Sequence, residues 1–443
     1  MSPMSKLSYS SANFGKSMFW TSMELFFLFY LTDILEIHPA TAGLIVLIGL
    51  VWDGITDPIV GYLIDSLKYK IPKYGTYLLF GAPLTSISFV LLFAPIQMDQ
   101  TNTIYFVLAV SLLFRTFYSL LDVPHNSMLA SLTPDSRTRS DLASLRYFFS
   151  SLGGVVVSLG ISSSLINGSL GKEPKDFFIY SLIASLLALL SLYACYFGTI
   201  RLEKELKSNN SKATFKAILR SVSNNKQLWI AFLLMSLSSL TLPLFGKAVI
   251  YYSKYIHGDE SIVGSLLVLL AVGKGGAIPL WMFVTRKIGK KWSAIFAYGS
   301  TCIALSLFWL GSNYSEQSLY FLTIFIGITM SGTAVINWAI IPDTVDFGEW
   351  RSGIRAEGFI FGFFTLTSKI SMGVGAAMFG IILGAQGFQP NAEQSSNVIN
   401  SILNIMCLVP IVGGLLCIFC LRYYRLSFDL HERIIKTLHK RSK

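Results

Sequence analysis

The sequence predicts an all-α membrane protein of twelve spans in two sets of six, and three observations carry that prediction. The first is composition: of 443 residues, 53% are hydrophobic, only 13% are charged, and 33 are Phe, against about 25% charged in an ordinary soluble domain. The second is spacing. Apolar runs of roughly the 20 residues that cross a bilayer fall at 18–35, 40–64, 77–96, 104–129, 142–166 and 177–199, and again at 228–252, 262–284, 293–310, 319–341, 359–383 and 402–421. The third is the break between the sets, a polar, basic, Asn- and Ser-containing connection, as expected of a chain with two repeated halves. These bounds give an N-terminal bundle at 1–200, a linker at 201–227, a C-terminal bundle at 228–422 and a basic tail at 423–443. No motif is visibly shared between the halves.

Charge fixes the expected orientation and excludes one class of partner. Lys68, Lys70 and Lys73, Arg137 and Arg139, the 201–227 segment, Arg286 to Lys291, Arg351 and Arg355 and the tail all fall in alternate connections, with Lys172 and Lys175 the exception. By the positive-inside rule both termini are cytoplasmic, in a multi-pass protein of the cytoplasmic membrane. The net charge of +11 is therefore membrane-flanking, and nucleic-acid binding is disfavoured. The central segment 214–223 reads as a solvated charged face or a short surface helix. The five cysteines all lie in apolar segments, so no disulfide, metal site or cofactor is expected. No catalytic triad, metal-ligand set or phosphate loop appears, so the chain does not read as an enzyme.

Taken in order, the spans differ in what they carry. The first follows a polar start, Met1 to Gly15, with no small-residue cleavage site, and so reads as a retained span. Lys16 beside it, and Lys247 in the seventh span, sit near run ends where a lysine normally snorkels to the interface. The second holds Val51-Trp-Asp-Gly-Ile-Thr-Asp-Pro58. Asp53 and Asp57 there share one helix face at i, i+4 spacing, and a carboxylate near the bilayer centre costs at least ~2.5 kcal/mol, so such residues normally mark an ion or substrate path. The fourth adds Asp122 with Ser119 three residues before it, on the same face. If the second and fourth spans touch, Asp53, Asp57, Asp122, Ser119 and Thr56 offer the oxygen ligands that a hard cation takes. Three converging acids without a cation repel one another, so a metal ion or a proton is implied. His125 reads as a proton relay, a sugar-stacking ring or an ordinary interfacial histidine. Arg146 lies in the fifth span, and Lys274, flanked by glycines in the eighth, either lines a cavity or reaches the cytoplasmic boundary. Lys369 sits about ten positions into the eleventh and is followed by small residues that permit close packing, which makes a buried partner such as Asp57 the expected one. Trp52, Trp281 and Trp338 read as interfacial belt or core residues, with core the default for each.

Several of these stretches together resemble the glycoside-pentoside-hexuronide:cation symporter family of the major facilitator superfamily. They are Phe14-Gly15-Lys16, Tyr30-Leu-Thr-Asp33, Trp52 to Pro58, Asp122-Val-Pro124, Arg146-Tyr-Phe-Phe149, Pro342-Asp-Thr-Val-Asp-Phe-Gly-Glu-Trp-Arg351 with Gly353-Ile-Arg355, and Lys369. The resemblance runs nearly end to end and implies two six-helix bundles around a central cavity. It also implies cation ligation by Asp53, Asp57 and Asp122 with Ser119, substrate contacts by Asp122 and Arg146, and a coupling role for Lys369. The acids Asp343 and Asp346, read as loop residues, would form an inner gate with Arg351 and Arg355. Three positions depart from the family's galactoside site. Ser17 replaces a sugar-binding Asp, Asn126 replaces a sugar-stacking Trp, and Thr56 replaces an Asn between the two acids of the second span. Ser17 and Asn126, with Lys16, Asp122 and Arg146, remain the substrate-facing set.

The expected function is then a monomeric, cation-coupled symporter, driven by Na+ or H+, that imports a glycoside, pentoside or hexuronide by alternating access. Two alternatives stand beside it. One is a transporter of a non-sugar amphiphile, favoured by Ser17 and the Phe content; the other is a membrane sensor that transports nothing.

Overall fold

The structure is a computed structural model that describes residues 3–66, 73–95, 97–132, 136–166, 174–203, 222–259, 261–311, 315–353, 357–426 and 428–441. Every regular element among these residues is helical. The first half comprises α1 (Pro3–Leu25, carried on by Phe27–Phe29 and a π turn at Tyr30–Ile34), α2 (Pro39–Ser66), α3 (Lys73–Leu92), α4 (Gln100–Leu132), α5 (Ser136–Ile166) and α6 (Pro174–Glu203). The second comprises α7 (Lys226–Thr241, carried on by Pro243–Tyr252 and a π turn at Ser253–His257), α8 (Ile262–Gly276 and Ile278–Ile288, bent by 41°) and α9 (Lys290–Leu310). It continues with α10 (Glu316–Ser352), α11 (Glu357–Ala385) and α12 (Ser396–Leu403, the π turn Asn404–Leu408 and Val409–Leu421). A last helix, α13 (Phe428–Arg441), follows.

Among the described residues nine helices are long and apolar enough to cross a membrane, and the bent α8 makes a tenth. The two that fall short, α1 and α5, complete the twelve. In α1 the polar side chains Lys16, Ser17, Ser22 and Glu24 dilute the apolar signal, whereas α5 is apolar over the shorter stretch Leu145–Gly160.

Several helices run past the apolar limits read from sequence. The polar start 3–15 is the first turns of α1, and 342–352 continues α10 through Pro342. Asp343, Asp346 and Arg351 are therefore helical and not in a loop. Proline at an interior position removes one backbone donor, but the face beyond it still buries Val345 and Gly348 and so stays packed. The tail from 428 is likewise a helix, with Ile434 buried in a cluster that contains Ile340 and is backed by Phe347 and Trp350 of α10. Of the linker, 201–203 end α6 and Asn225 caps α7 through Leu228; most of the proposed 214–223 surface helix, 214–221, lies outside the described residues, as do Lys68, Lys70 and Lys172.

The halves meet through paired helices. α2 packs along α11 and α8 along α5, which is one contact seen twice if each half repeats the other, since α2 corresponds to α8 and α5 to α11. The first helix of each half also ends in a π turn, and those turns meet. Asp33, 2% exposed, accepts from Lys254 at 2.9 Å and from the Tyr255 hydroxyl, and Thr32 and Tyr251 share a hydrogen bond of 2.7 Å. The repeat that no sequence motif displayed is thus present in the geometry. At this end the backbones of α2 and α11 almost touch: a Cβ at Gly43 would lie 2.9 Å from the Ala377 Cα, and one at Gly380 would strike the Pro39 carbonyl. Small residues allow that approach where lipid supplies no hydrophobic drive between helices.

Much of the Phe content is packing. Phe19, Phe89, Phe93 and Phe114 form an edge-on aromatic cluster between α1, α3 and α4, each at most 3% exposed. Phe richness therefore gives little support to an apolar cargo. The large exposed apolar side chains, such as Ile87, Leu190, Phe197, Ile303 and Phe321, lie on α3, α6, α9 and α10, the faces left to lipid. Trp281 is core and donates to the Ile328 carbonyl at 2.7 Å, whereas Trp52 and Trp338 are 38% and 40% exposed, against the core reading.

Because the Asp33 end is closed by backbone contact, enlarging Gly380 should force it apart. In Gly380→Val, a cysteine placed at Ser253, fully buried in the native chain, is expected to react with a water-soluble maleimide markedly faster than in the parent. Unchanged labelling would show that the α2–α11 contact does not hold this end shut.

Candidate functional site

Two polar clusters lie where the halves face each other. In the first, Ser119 of α4 donates to Asp57 Oδ1 at 2.6 Å, and Thr56 and Ser119 hydroxyls are 3.1 Å apart. Ser119 has one proton and spends it on Asp57, so Thr56 must donate in that contact or bond back to the Trp52 carbonyl, 3.1 Å away. Lys369 of α11 reaches across from the other half to Asp57 Oδ2 and lies 3.8 Å from Asp53 Oδ2. Asp53, fully buried, is paired with Arg115 of α4 at 2.5 Å, while its Oδ1 has no hydrogen-bond partner among the described residues. An orphaned carboxylate oxygen beside two hydroxyls and Asp57 is a donor set that fits a hard cation or a proton.

The second cluster is built on Asp122. Lys16 of α1 donates to Asp122 Oδ1 at 2.6 Å and to the Asn126 amide oxygen at 3.1 Å, and Asn126 Nδ2 returns a bond to Asp122 Oδ2 at 2.8 Å. Arg146 of α5 donates to the same Asn126 oxygen and, through Nε, to Asn13 at 3.1 Å. The arrangement brings carboxylate, amide, ammonium and guanidinium groups from α1, α4 and α5 into one hydrogen-bonded cluster, which offers both donors and acceptors.

The structure therefore gathers Asp53, Asp57, Thr56 and Ser119, joins them to Lys369, and gathers Lys16, Asp122, Asn126 and Arg146. Among the described residues no group of three His, Cys, Asp or Glu side chains forms a metal-binding cluster, although the Lys369 ammonium senses the charge of all three acids. Asp122 is held by Lys16. Ser17 also leaves the expected substrate set. Its hydroxyl donates to the Ser150 carbonyl at 2.8 Å, because α1 and α5 close over Gly153 and leave it facing the helix contact. Lys16 and Lys247 do not snorkel; they are 5% and 4% exposed, and Lys247 donates to the Glu24 carbonyl. His125 is fully buried, stacks on Tyr9 at 4.6 Å and bonds its carbonyl at 3.0 Å, so it joins α1 to α4 and is not interfacial. Three of the proposed gate residues have the following partners among the described residues. Asp343 accepts from Lys290 at 2.6 Å, His431 of α13 lies 3.0 Å from Asp346, and Arg351 donates to the Asn224 carbonyl at 3.0 Å. These contacts all lie within the second half and its flanking segments; Arg355 lies outside the described residues.

Four residues were missed in the sequence. Arg115 lies four positions before Ser119 on the Asp122 face and was readable as a buried cation. Glu24, eight positions after Lys16, is an acid within the first span. Lys254 looked like a connection residue because the π turn that carries it extends beyond its apolar run, and Asp33, inside the first run and the Tyr30–Asp33 stretch, was given no partner.

The chain matches the family described as MFS/sugar transport protein over residues 8–427. It is 26% identical to the isoprimeverose transporter of Lactiplantibacillus pentosus, over 95% of this chain and 88% of that one, and 26% identical to the glucuronide carrier protein homolog of Escherichia coli, over 98% and 95%. Its fold superposes on that of nucleoside transporter NupG with a TM-score of 0.66 at 14% identity, covering 95% of this chain and 99% of that one. With twelve helices in two related halves and its charged groups gathered between them, the chain belongs to the MFS/sugar transport family and is a membrane transporter, not an enzyme.

Proposed function

We propose that the protein is a cation-coupled symporter of the cytoplasmic membrane, with both termini in the cytoplasm, that imports a glycoside, pentoside or hexuronide. One observation carries the reading: Lys369 of the second half is bonded to Asp57 of the first, beside two hydroxyls and the orphaned oxygen of Asp53. A cation or proton arriving at Asp57 competes with Lys369 for the same carboxylate. That competition loosens a bond between the halves, and so links ion binding to their relative movement. By reciprocity, a substrate that favours the loosened state raises ion affinity by the same factor. Substrate hydroxyls are read by Asp122, Asn126, Lys16 and Arg146, and the halves rock about this midplane site. The relatives named as carriers of isoprimeverose and of glucuronide support a sugar-like cargo.

Asp57 is then the exchangeable group. Asp57→Cys is expected to abolish uphill uptake while leaving downhill exchange of the same substrate across the vesicle membrane. Energised accumulation at the parental level would remove Asp57 from coupling.

Thr56 sets the choice of ion. Its hydroxyl is a weaker ligand than an amide carbonyl and must also direct its own hydrogen, which weakens sodium without affecting protonation of Asp57. Uptake is expected to run on either ion with a modest sodium preference, and Thr56→Asn to steepen the sodium dependence of initial rate at fixed pH. A tight, strict sodium requirement that Thr56→Asn leaves unaltered would place Thr56 outside the site.

A further inference from the structure

The space between the halves contains charged groups that neither cluster uses. A cavity of about 310 Å³, within the ~300–1,000 Å³ of small-molecule sites, is walled by Glu24 of α1, Tyr147 and Ser151 of α5, Lys274 of α8, and Asn337 and Trp338 of α10. Both halves thus contribute to one chamber. Neither the Glu24 carboxylate nor the Lys274 ammonium forms a hydrogen bond or ion pair with another described residue. Lys247 of α7 lies behind Glu24, donating to its backbone carbonyl, and both lysines sense the Glu24 charge.

The charge balance here differs from the rest of the interface. Asp53 has Arg115, Asp57 has Lys369, and Asp122 has Lys16. Around Glu24 two ammoniums share one carboxylate, and the ammonium that faces the chamber is unpaired. An uncompensated cation at membrane depth is costly and marks a substrate path by default. Its position is also fixed: Lys274 is flanked by Gly275, where a Cβ would stand 2.7 Å from the Ser151 hydroxyl, and by Gly273, packed on the α10 backbone near Ile324. Both neighbours lack a side chain because helices press on either side, so Lys274 is held on the chamber wall.

We propose that Lys274, with Lys247 behind it, forms a subsite for an anionic group on the cargo, a carboxylate or sulfonate, so that this transporter selects acidic polyhydroxy compounds over their neutral counterparts. The inference rests on the transporter reading above and narrows its substrate class. An acidic cargo in this chamber then touches both halves, its hydroxyls beside Tyr147 and Ser151 of the first and its anion on Lys274 of the second. Such bridging is what lets occupancy bias the movement of one half against the other. Glu24 acts as the internal anion that faces Lys274 when no cargo is bound, and it competes with the cargo for the same charge.

The probes are methyl β-D-glucuronide and methyl β-D-glucoside, which share a ring and differ at the C6 carboxylate, with 2,3-dihydroxypropane-1-sulfonate as a ring-free anion. Equilibrium binding to the purified full chain and counterflow in proteoliposomes are measured for each. The parent is expected to prefer the glucuronide. Lys274→Gln should weaken glucuronide binding roughly tenfold, as loss of one charged hydrogen bond does, and leave the glucoside unchanged. Lys274→Arg should restore the preference, and Glu24→Gln should tighten glucuronide binding. Sulfonate binding that also requires Lys274 would assign the subsite to anions in general; sulfonate binding indifferent to Lys274 would overturn the anion assignment. Preference for the glucoside, or an equal loss of both sugars in Lys274→Gln, overturns the subsite and leaves the transporter reading standing. Absence of binding and counterflow for all three probes overturns both.

Discussion

The bond between Lys369 and Asp57 is the constraint on which the arrangement of the site depends. It joins a helix of one half to a helix of the other at membrane depth, where the Lys369 and Asp57 side chains are only 10% and 19% exposed and each alone would be an unpaired buried charge. Taking one member of such a pair away typically costs about 3–5 kcal/mol, because the other stays buried and unpaired. The surroundings fit that demand. Asp57 also accepts from Ser119, and α11 approaches α2 through Gly373, where a Cβ would lie 3.0 Å from Leu47. Close packing sets the distance and the charge pair fixes the register.

Arg115 alters how the two acids of α2 divide their work. With the Arg115 guanidinium at 2.5 Å, Asp53 is compensated chiefly from within its own half, and its ion pair with Lys369 across the halves is the longer one at 3.8 Å. Asp57 makes the closer bond between the halves. The i, i+4 spacing that made the two acids look equivalent in sequence thus conceals a difference of role, set by which neighbouring helix supplies the cation. The same asymmetry separates Asp122, which Lys16 and Asn126 turn toward the hydroxyl-reading cluster, from the coupling pair.

The helices and their grouping were legible because hydropathy reports burial in lipid directly. Asp53, Asp57, Ser119 and Lys369 were legible too, since a charge in an apolar run has few explanations. What failed were partnerships. Ser17 faces Ser150 because of a helix contact at Gly153 that no single-chain pattern shows, and the pairing of Asp122 with Lys16 was not read from the residues. Glu24 and Arg115 were lost among longer apolar stretches although their residue types were in view. Asp343 and Asp346 were placed in a loop because the apolar run ends at Ile341, yet the helix continues where its buried face does. The repeat between halves is geometric, carried by paired π turns and by the α2–α11 and α5–α8 contacts, and identical residues are not needed to preserve it.

A thermal-unfolding cycle on the purified chain tests the central pairing most directly, with Asp57→Asn, Lys369→Met and the double substitution compared with the parent. A buried bond between the halves requires each single change to destabilise strongly and the double change to cost less than the two added, since it leaves no unpaired charge. Strict additivity would show that Lys369 and Asp57 do not depend on each other, and the coupling of ion binding to movement of the halves would lose its basis.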